Sequence, residues 1–322
     1  MFDTPILLIT FNRPDFTRRV LESVMEQQPR ELYVFQDGPR TSHPDDAARV
    51  AEVRQVVEEL TDSAPTRLHT RYAPVNLGCG PGPADALTWF FGQVEQGIVL
   101  EDDAVPHPDF FLYAQELLER YAADPSVMAI GSMNVDRTRP NQESYYFSMM
   151  NRNLCAWATW RRAWQHFDLR LMDVSRGRLR RALRRYGCGL LEREYWCDRL
   201  DEVHRDGVGN SSWDMQFFMS IWLNHGKGVI PNVNLSSNIG TVVDATHPSA
   251  AGNLIDSVPT HPILPLTHPV DCRVQHEADR AFHFSYFEPS RANWSAARKV
   301  YFIINKRAKR LLGHKGSWRK RN

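Results

Sequence analysis

From Pro5 to about residue 135 the apolar side chains switch repeatedly between continuous runs and helical spacing, and this alternation limits the fold more than any other feature. Pro5 to Thr10 is a continuous apolar run, and Phe16, Val20 and Val24 follow at four-residue spacing behind Pro14, a favourable first-turn residue. Leu32 to Gln36 reads as a second strand, and Val50, Val53, Val57 and Leu60 form a helical stripe. The pattern repeats with Leu68 to Tyr72, the face Leu87, Phe91 and Val94, the strand Ile98 to Leu100, the helix of Phe110, Ala114, Leu117 and Tyr121, and the strand Val127 to Ile130. Such alternation implies right-handed crossovers and an α/β fold with a mainly parallel sheet flanked by helices.

Ligands of such sheets sit beyond the carboxyl ends of the strands. Those ends carry Thr10-Phe11-Asn12-Arg13, Gln36-Asp37-Gly38, Asn76 to Gly82, and Glu101-Asp102-Asp103. The three adjacent carboxylates raise one another's pKa unless a cation or strong donors compensate. Hard oxygen ligands of this kind suit Mg²⁺ or Mn²⁺ holding a phosphate, whereas the plain alternative is a solvated acidic turn before the helix near Pro108.

With 322 residues and 42% hydrophobic content the chain can bury one large core or two abutting ones. A net charge of +1 gives no whole-molecule field for nucleic acid. Five cysteines without a close C-x-x-C pair fit reduced thiols in a cytoplasmic protein and speak against structural zinc. Ile6 to Ile9 is too short for a leader or a membrane span.

Beyond residue 135 periodicity weakens and tryptophans accumulate, at 157, 160, 164, 196, 213 and 222. Four regions follow: 1–135 and 136–250 as two halves of one catalytic domain, 251–290 as a Pro- and His-rich extended connection, and 291–322 as a basic tail. Arg176 to Arg185 holds six arginines, read as a solvated segment or as a basic lid over an anionic ligand. In the tail, Trp294, Ala297, Tyr301, Ile304, Ala308 and Leu311 fall at helical spacing among many Lys and Arg. That pattern suits an anionic membrane surface on the inner face, or a docked helix with a solvated end, or an edge strand over Val300 to Ile304.

The segments "LLITFNRPDFTRRVLESV", "LYVFQDGPR", "VNLGCGPGPADAL" and "IVLEDDAVPHPDFFLYAQELLERYAADPSVMAIGSMN", in this order, resemble the catalytic domain of GT-A nucleotide-sugar glycosyltransferases. The likeness is closest to the N-acetylglucosaminyltransferase I type and its bacterial family 2-like relatives, and it covers roughly residues 4 to 250. It implies a GT-A, Rossmann-like fold with an abutting acceptor-binding half, and Mn²⁺ or Mg²⁺ as cofactor. The implied reaction moves a sugar from a nucleoside diphosphate, UDP first, to a hydroxyl of a glycan or lipid-linked glycan with inversion.

By resemblance, Thr10, Phe11, Asn12 and Arg13 form the turn that meets the diphosphate, and a guanidinium suits phosphate oxygens. Asp37 corresponds to the acidic residue near base and ribose, against the alternative of an Asp-Gly turn. Asp103 corresponds to the metal ligand, Asp102 to a donor contact and Glu101 to its support, while Gly80, between Gly78 and Gly82, lets backbone approach the donor. "SSWDMQFFMSIW" resembles the segment whose Asp takes the acceptor proton, which places Asp214 as general base, with a helix N-cap as its rival role. "AWATWRRAW" resembles the acceptor frame, with Trp157, Trp160 and Trp213 facing sugars or packing in the core. "SSNIGTVVDATHPS" offers His247 as a further metal or diphosphate contact, or as a structural histidine. Two rival readings are a nucleotidyltransferase, which should carry a glycine-rich loop after the first strand, and a non-catalytic membrane-associated interaction protein on the same scaffold.

Overall fold

The computed structural model describes residues 1–150, 156–206, 213–240 and 258–318. Its centre is an eight-stranded sheet ordered β3-β2-β1-β4-β8-β6-β9-β7. The strands are β1 (Ile6–Thr10), β2 (Glu31–Gln36), β3 (Arg67–Tyr72), β4 (Gln96–Glu101), β6 (Val127–Gly131), β7 (Tyr145–Ser148), β8 (Ala156–Trp160) and β9 (Lys227–Pro231). A separate antiparallel ribbon pairs β5 (Ala104–Pro106) with β10 (Ser236–Asn238).

The helices alternate with the first strands as the periodicity requires: α1 (Pro14–Met25), α2 (Asp46–Thr61), α3 (Pro81–Gln93) and α4 (Asp109–Arg120). Pairings β1–β2, β2–β3 and β1–β4 are all parallel. Successive strand residues then feed opposite faces of the sheet. Ile6 and Leu8 pack with Val20, Leu21 and Val24 of α1 and with Phe110, Phe111 and Leu117 of α4. Leu7 and Ile9 pack on the other face with Leu87, Phe90 and Phe91 of α3.

The second half of the chain joins this sheet rather than forming a unit of its own. β8 lies antiparallel between β4 and β6, and β7 and β9 complete the edge. Helices α5 (Arg161–Trp164), α6 (Arg176–Arg185), α7 (Leu190–Asp206) and α8 (Asp214–Leu223) cover the face that α3 begins, through Trp164, Leu183, Trp196 and Trp222 among others. From 258 to 275 the chain lacks helix and runs across the molecule, with Asp109 Oδ2 accepting from Ile263 N at 2.8 Å and Thr267 O accepting from Ser144 N at 2.9 Å. Helix α9 (His276–Phe282) widens into a π turn over His283–Phe287, and the tail forms α10 (Ala296–Trp318), so Val300 to Ile304 is helix and not an edge strand.

Gly97 marks how tightly β4 is held. A Cβ there would run into the Phe90 ring and stand 2.9 Å from the carbonyl oxygen of Pro5, and neither the buried ring nor the backbone can yield. Gly97→Ala is expected to lower unfolding free energy by about 1–3 kcal/mol, the usual range for overpacking. A denaturant midpoint equal to that of the parent chain would contradict this packing.

Candidate active site

Strands β1 and β4 run side by side in register, Ile9 opposite Glu101, so the residues after them leave the sheet together. The amide of Phe11 donates to Asp102 Oδ2 at 3.2 Å, tying the first turn to the acidic one. Arg13 Nη1 donates to Asp103 Oδ2 at 3.1 Å and lies 3.8 Å from Asp102 Oδ1. From the other side, Asn238 Nδ2 donates to Asp103 Oδ1 at 3.3 Å and the Ile239 amide donates to the Asp103 carbonyl at 2.8 Å. A Cβ at Gly240 would stand 2.9 Å from Asp103 Cγ, so a side chain there would displace the carboxylate. Asn238 and Gly240 belong to a segment legible as a motif, but their contact with Asp103 depends on the β5–β10 pairing, which the sequence does not signal.

Burial dominates the electrostatics of the triplet. Desolvation, then the neighbouring Asp103 carboxylate, push Asp102 up to about 7, against the pull of Arg13. Glu101 is raised well above its ordinary value by burial and by the charges of Asp103, Asp102 and Asp214. Burial also raises Asp103, with Arg13 and Asn238 opposing it. The three carboxylates are crowded, with Asp102 buried at 7% exposure and Glu101 and Asp103 partly buried beside it.

Asp37 organises the glycine loop. Its Oδ1 accepts from Gly38 N at 2.8 Å and Leu77 N at 2.7 Å, and its Oδ2 accepts from Gly78 N and Asn76 Nδ2, both at 3.0 Å. Gly78 has φ +84°, a backbone conformation that disfavours a Cβ, and it lets the loop turn over the carboxylate into Gly80 and the start of α3. The Asp-Gly turn and a longer-range tether are both present in this one residue. Burial raises the Cys79 thiol on the same loop, and the charges of Asp214, Glu101 and Asp37 add to that, so the loop overlooks the acidic cluster.

Thr10 and Asn12 are directed into the framework. Thr10 Oγ1 donates to the Phe35 carbonyl at 3.0 Å, and Asn12 Nδ2 donates to Asp46 Oδ1 at 2.7 Å. Asp46 is also gripped by Arg40, at 2.6 Å from Nε and 2.9 Å from Nη2, and the Arg40 guanidinium stands 5.2 Å from the Phe11 ring centre. Arg40 and Asp46 were not signalled by sequence, since neither lies at a strand end. Phe11 and Arg13 are the members of the first turn that reach the acidic triplet.

Asp214 opens α8 as its first helical residue and accepts from the Met215 amide at 2.8 Å, while the cap position belongs to Trp213, which makes no side-chain cap bond. The N-cap alternative is therefore corrected. The charge of Asp214 is among those that raise Glu101 and the Cys79 thiol. The expected stacking of Trp157, Trp160 and Trp213 on sugars is also corrected. They are 0%, 3% and 3% exposed, Trp157 stacks on Trp213 at 5.6 Å, and Trp160 Nε1 donates to the Leu118 carbonyl at 3.2 Å. They hold α8 and β8 in place instead. His247 lies outside the described residues.

The triplet fits a divalent cation in donor chemistry, since close buried carboxylates need positive charge and offer hard oxygens. Among the described residues no three His, Cys, Asp or Glu side chains form a cage of their own. A cation here would therefore rely on oxygens from another source besides Asp103.

In a mostly parallel α/β sheet, polar residues gathered beyond the β1 and β4 carboxyl ends stand where ligands of such sheets bind. Residues 6–163 match the family model of Glycosyl transferase family 2. No curated protein matches the chain. Among solved structures, mouse xyloside xylosyltransferase 1 is similar at 13% identity, covering 69% of this chain and 82% of that one with a TM-score of 0.34. UDP-glucose pyrophosphorylase complexed with UDP-glucose is similar at 10% identity over 51% of this chain and 78% of that one, TM-score 0.32. The 4-diphosphocytidyl-2C-methyl-D-erythritol synthase of Anaerococcus prevotii is similar at 10% identity over 52% and 75%, TM-score 0.32. Likeness at this level assigns no substrate.

Raised carboxyls make stability depend on pH with a definite sign. Asp102 keeps its proton when folded at pH values where the unfolded chain has lost it, so its contribution is present below its ordinary 3.8 and is lost as pH rises through about 7. Glu101 and Asp103 act in the same direction. In chelator, the melting temperature of the parent chain should therefore fall relative to Asp102→Asn between about pH 4 and about pH 7. Parallel curves for the two proteins would refute the buried, crowded state of the triplet.

Proposed function

We propose that this chain transfers a sugar from a nucleoside diphosphate, UDP, to a hydroxyl of a glycan or lipid-linked glycan acceptor, with inversion at the anomeric carbon. The observation that carries the reading is the meeting of Arg13 and the Glu101-Asp102-Asp103 triplet beyond the carboxyl ends of the adjacent parallel strands β1 and β4, with the charge of Asp214 on α8 adding to those that raise Glu101. The family 2 match over residues 6–163 supports it.

In this reading Arg13 turns from Asp103 to the incoming diphosphate, where its planar fork matches phosphate oxygens. Asp103 would hold Mn²⁺ or Mg²⁺, and Asp102, bonded to the Phe11 amide, keeps the first turn against the donor. The bound cation supplies charge neutralisation for the leaving diphosphate. Asp37 sets the loop of Asn76 to Gly80 as the wall beside the nucleotide. Asp214 accepts the proton of the acceptor hydroxyl as its oxygen bonds to the anomeric carbon and the bond from that carbon to the diphosphate breaks. One base and a single displacement give inversion.

Two variants separate the roles. Asp103→Ala is expected to abolish Mn²⁺-dependent turnover of a UDP-sugar, read as hydrolysis across a panel of nucleotide sugars. Asp214→Asn should lower transfer by about 10²-fold or more while donor affinity stays near that of the parent chain. Normal Mn²⁺-dependent turnover by Asp103→Ala would overturn the metal assignment. Release of pyrophosphate from a nucleoside triphosphate and a sugar phosphate would establish the nucleotidyltransferase instead. Absence of turnover with every donor would favour the non-catalytic reading.

A further inference from the structure

Helix α10 is attached to the protein by its charges. Lys306 pairs with Asp198 and Arg307 with Glu194, both on α7, and Ile303 is the member of its first turns that is buried, against Leu191 and Phe284. The apolar side chains at three- and four-residue spacing point the other way. Val300, Tyr301 and Ile304 are 44%, 68% and 60% exposed, and Ala297 and Ala308 are exposed beside them. A helix docked only for stability would place this stripe inward.

The surroundings are cationic. Glu194 is shared by Arg176 and Arg180 of α6 as well as Arg307, and Asp198 and Asp201 also meet Arg176, so the acids of α7 are engaged. Arg178, Arg181 and Arg184 are exposed on α6, the helix whose Arg176 and Arg180 meet the same acids of α7. From Arg291 onward the chain has eleven Lys and Arg and no Asp or Glu. Beside the stripe, a cleft of about 530 Å³ is lined by Trp294 and Tyr301 with Arg291, Arg298 and Lys306.

We propose that this face docks on an anionic lipid bilayer, with Val300, Tyr301 and Ile304 entering the interfacial region and the flanking cations meeting lipid phosphates. Exposed apolar side chains between basic flanks, with aromatic residues at the border, match the physics of an interfacial helix. A second copy of the chain would bring the same basic surface against itself, and a nucleic acid would leave the apolar stripe in water. No described helix is long and apolar enough to cross a membrane, so the contact is peripheral. This inference does not depend on the sugar-transfer reading.

Flotation of the full chain with phosphatidylcholine vesicles, alone or with roughly 30% phosphatidylglycerol, tests it. The parent chain should float with the anionic vesicles and be released at about 0.5 M salt, where charge is screened. A Tyr301→Ser, Ile304→Ser variant should bind at least about tenfold less while keeping its melting temperature, because both side chains are exposed. Failure of the parent chain to float, or equal binding by both proteins, overturns the proposal. So does an oligomer in solution that the variant abolishes, or RNA binding that outcompetes the vesicles.

Discussion

Three adjacent carboxylates cannot leave water at a strand end without something to balance them, and much of this molecule is arranged around that constraint. Arg13 arrives from the neighbouring strand because β1 and β4 are in parallel register, Asn238 arrives from β10, and the Phe11 amide faces Asp102. None of these restores the ordinary pKa of Asp102, so the cluster still seeks positive charge or protons. In the proposed reading, a diphosphate and a cation would draw on this tension. Relieving it with a permanent salt bridge would leave less for the ligand to gain.

The second half of the chain makes the tension tolerable by packing. β8 enters the sheet beside β4, and Trp157 on β8 stacks with Trp213, the residue before Asp214. The same aromatic contact that completes the core thus fixes where α8 begins. Asp37 performs a similar service for the glycine loop, since its four accepted bonds convert a flexible segment into a defined wall. Position of the chemistry is inherited from residues that need never touch a substrate.

Much of this was legible in the sequence, for reasons that also explain what was not. Strands β1, β2 and β4 announce themselves by continuous apolar runs, and α1 and α4 by their spacing, so the strand ends and their polar residues could be read directly. β7 and β8 are buried along their whole length and show no alternation, and β5 and β10 are three residues each, too short to leave a pattern. Trp157, Trp160 and Trp213 misled because an aromatic side chain reads the same whether it packs or binds. The exposed stripe of α10 was visible as a period, but which side of the helix faced the protein depended on Glu194 and Asp198, about a hundred residues earlier.

The raised carboxyls finally link stability to ligand binding. As pH rises the protons leave Asp102 and its neighbours, and the folded state loses a stabilising contribution while the site gains the negative charge that draws a cation. In the proposed reading, a cation and the proton would compete for the same oxygens. Bound cation would offset the repulsion that deprotonation exposes, and Arg13, released from Asp103, would become free to meet phosphate. The strand register that brings Arg13 to Asp103 would, in that reading, also let a ligand exchange one charge pairing for another without rebuilding the fold.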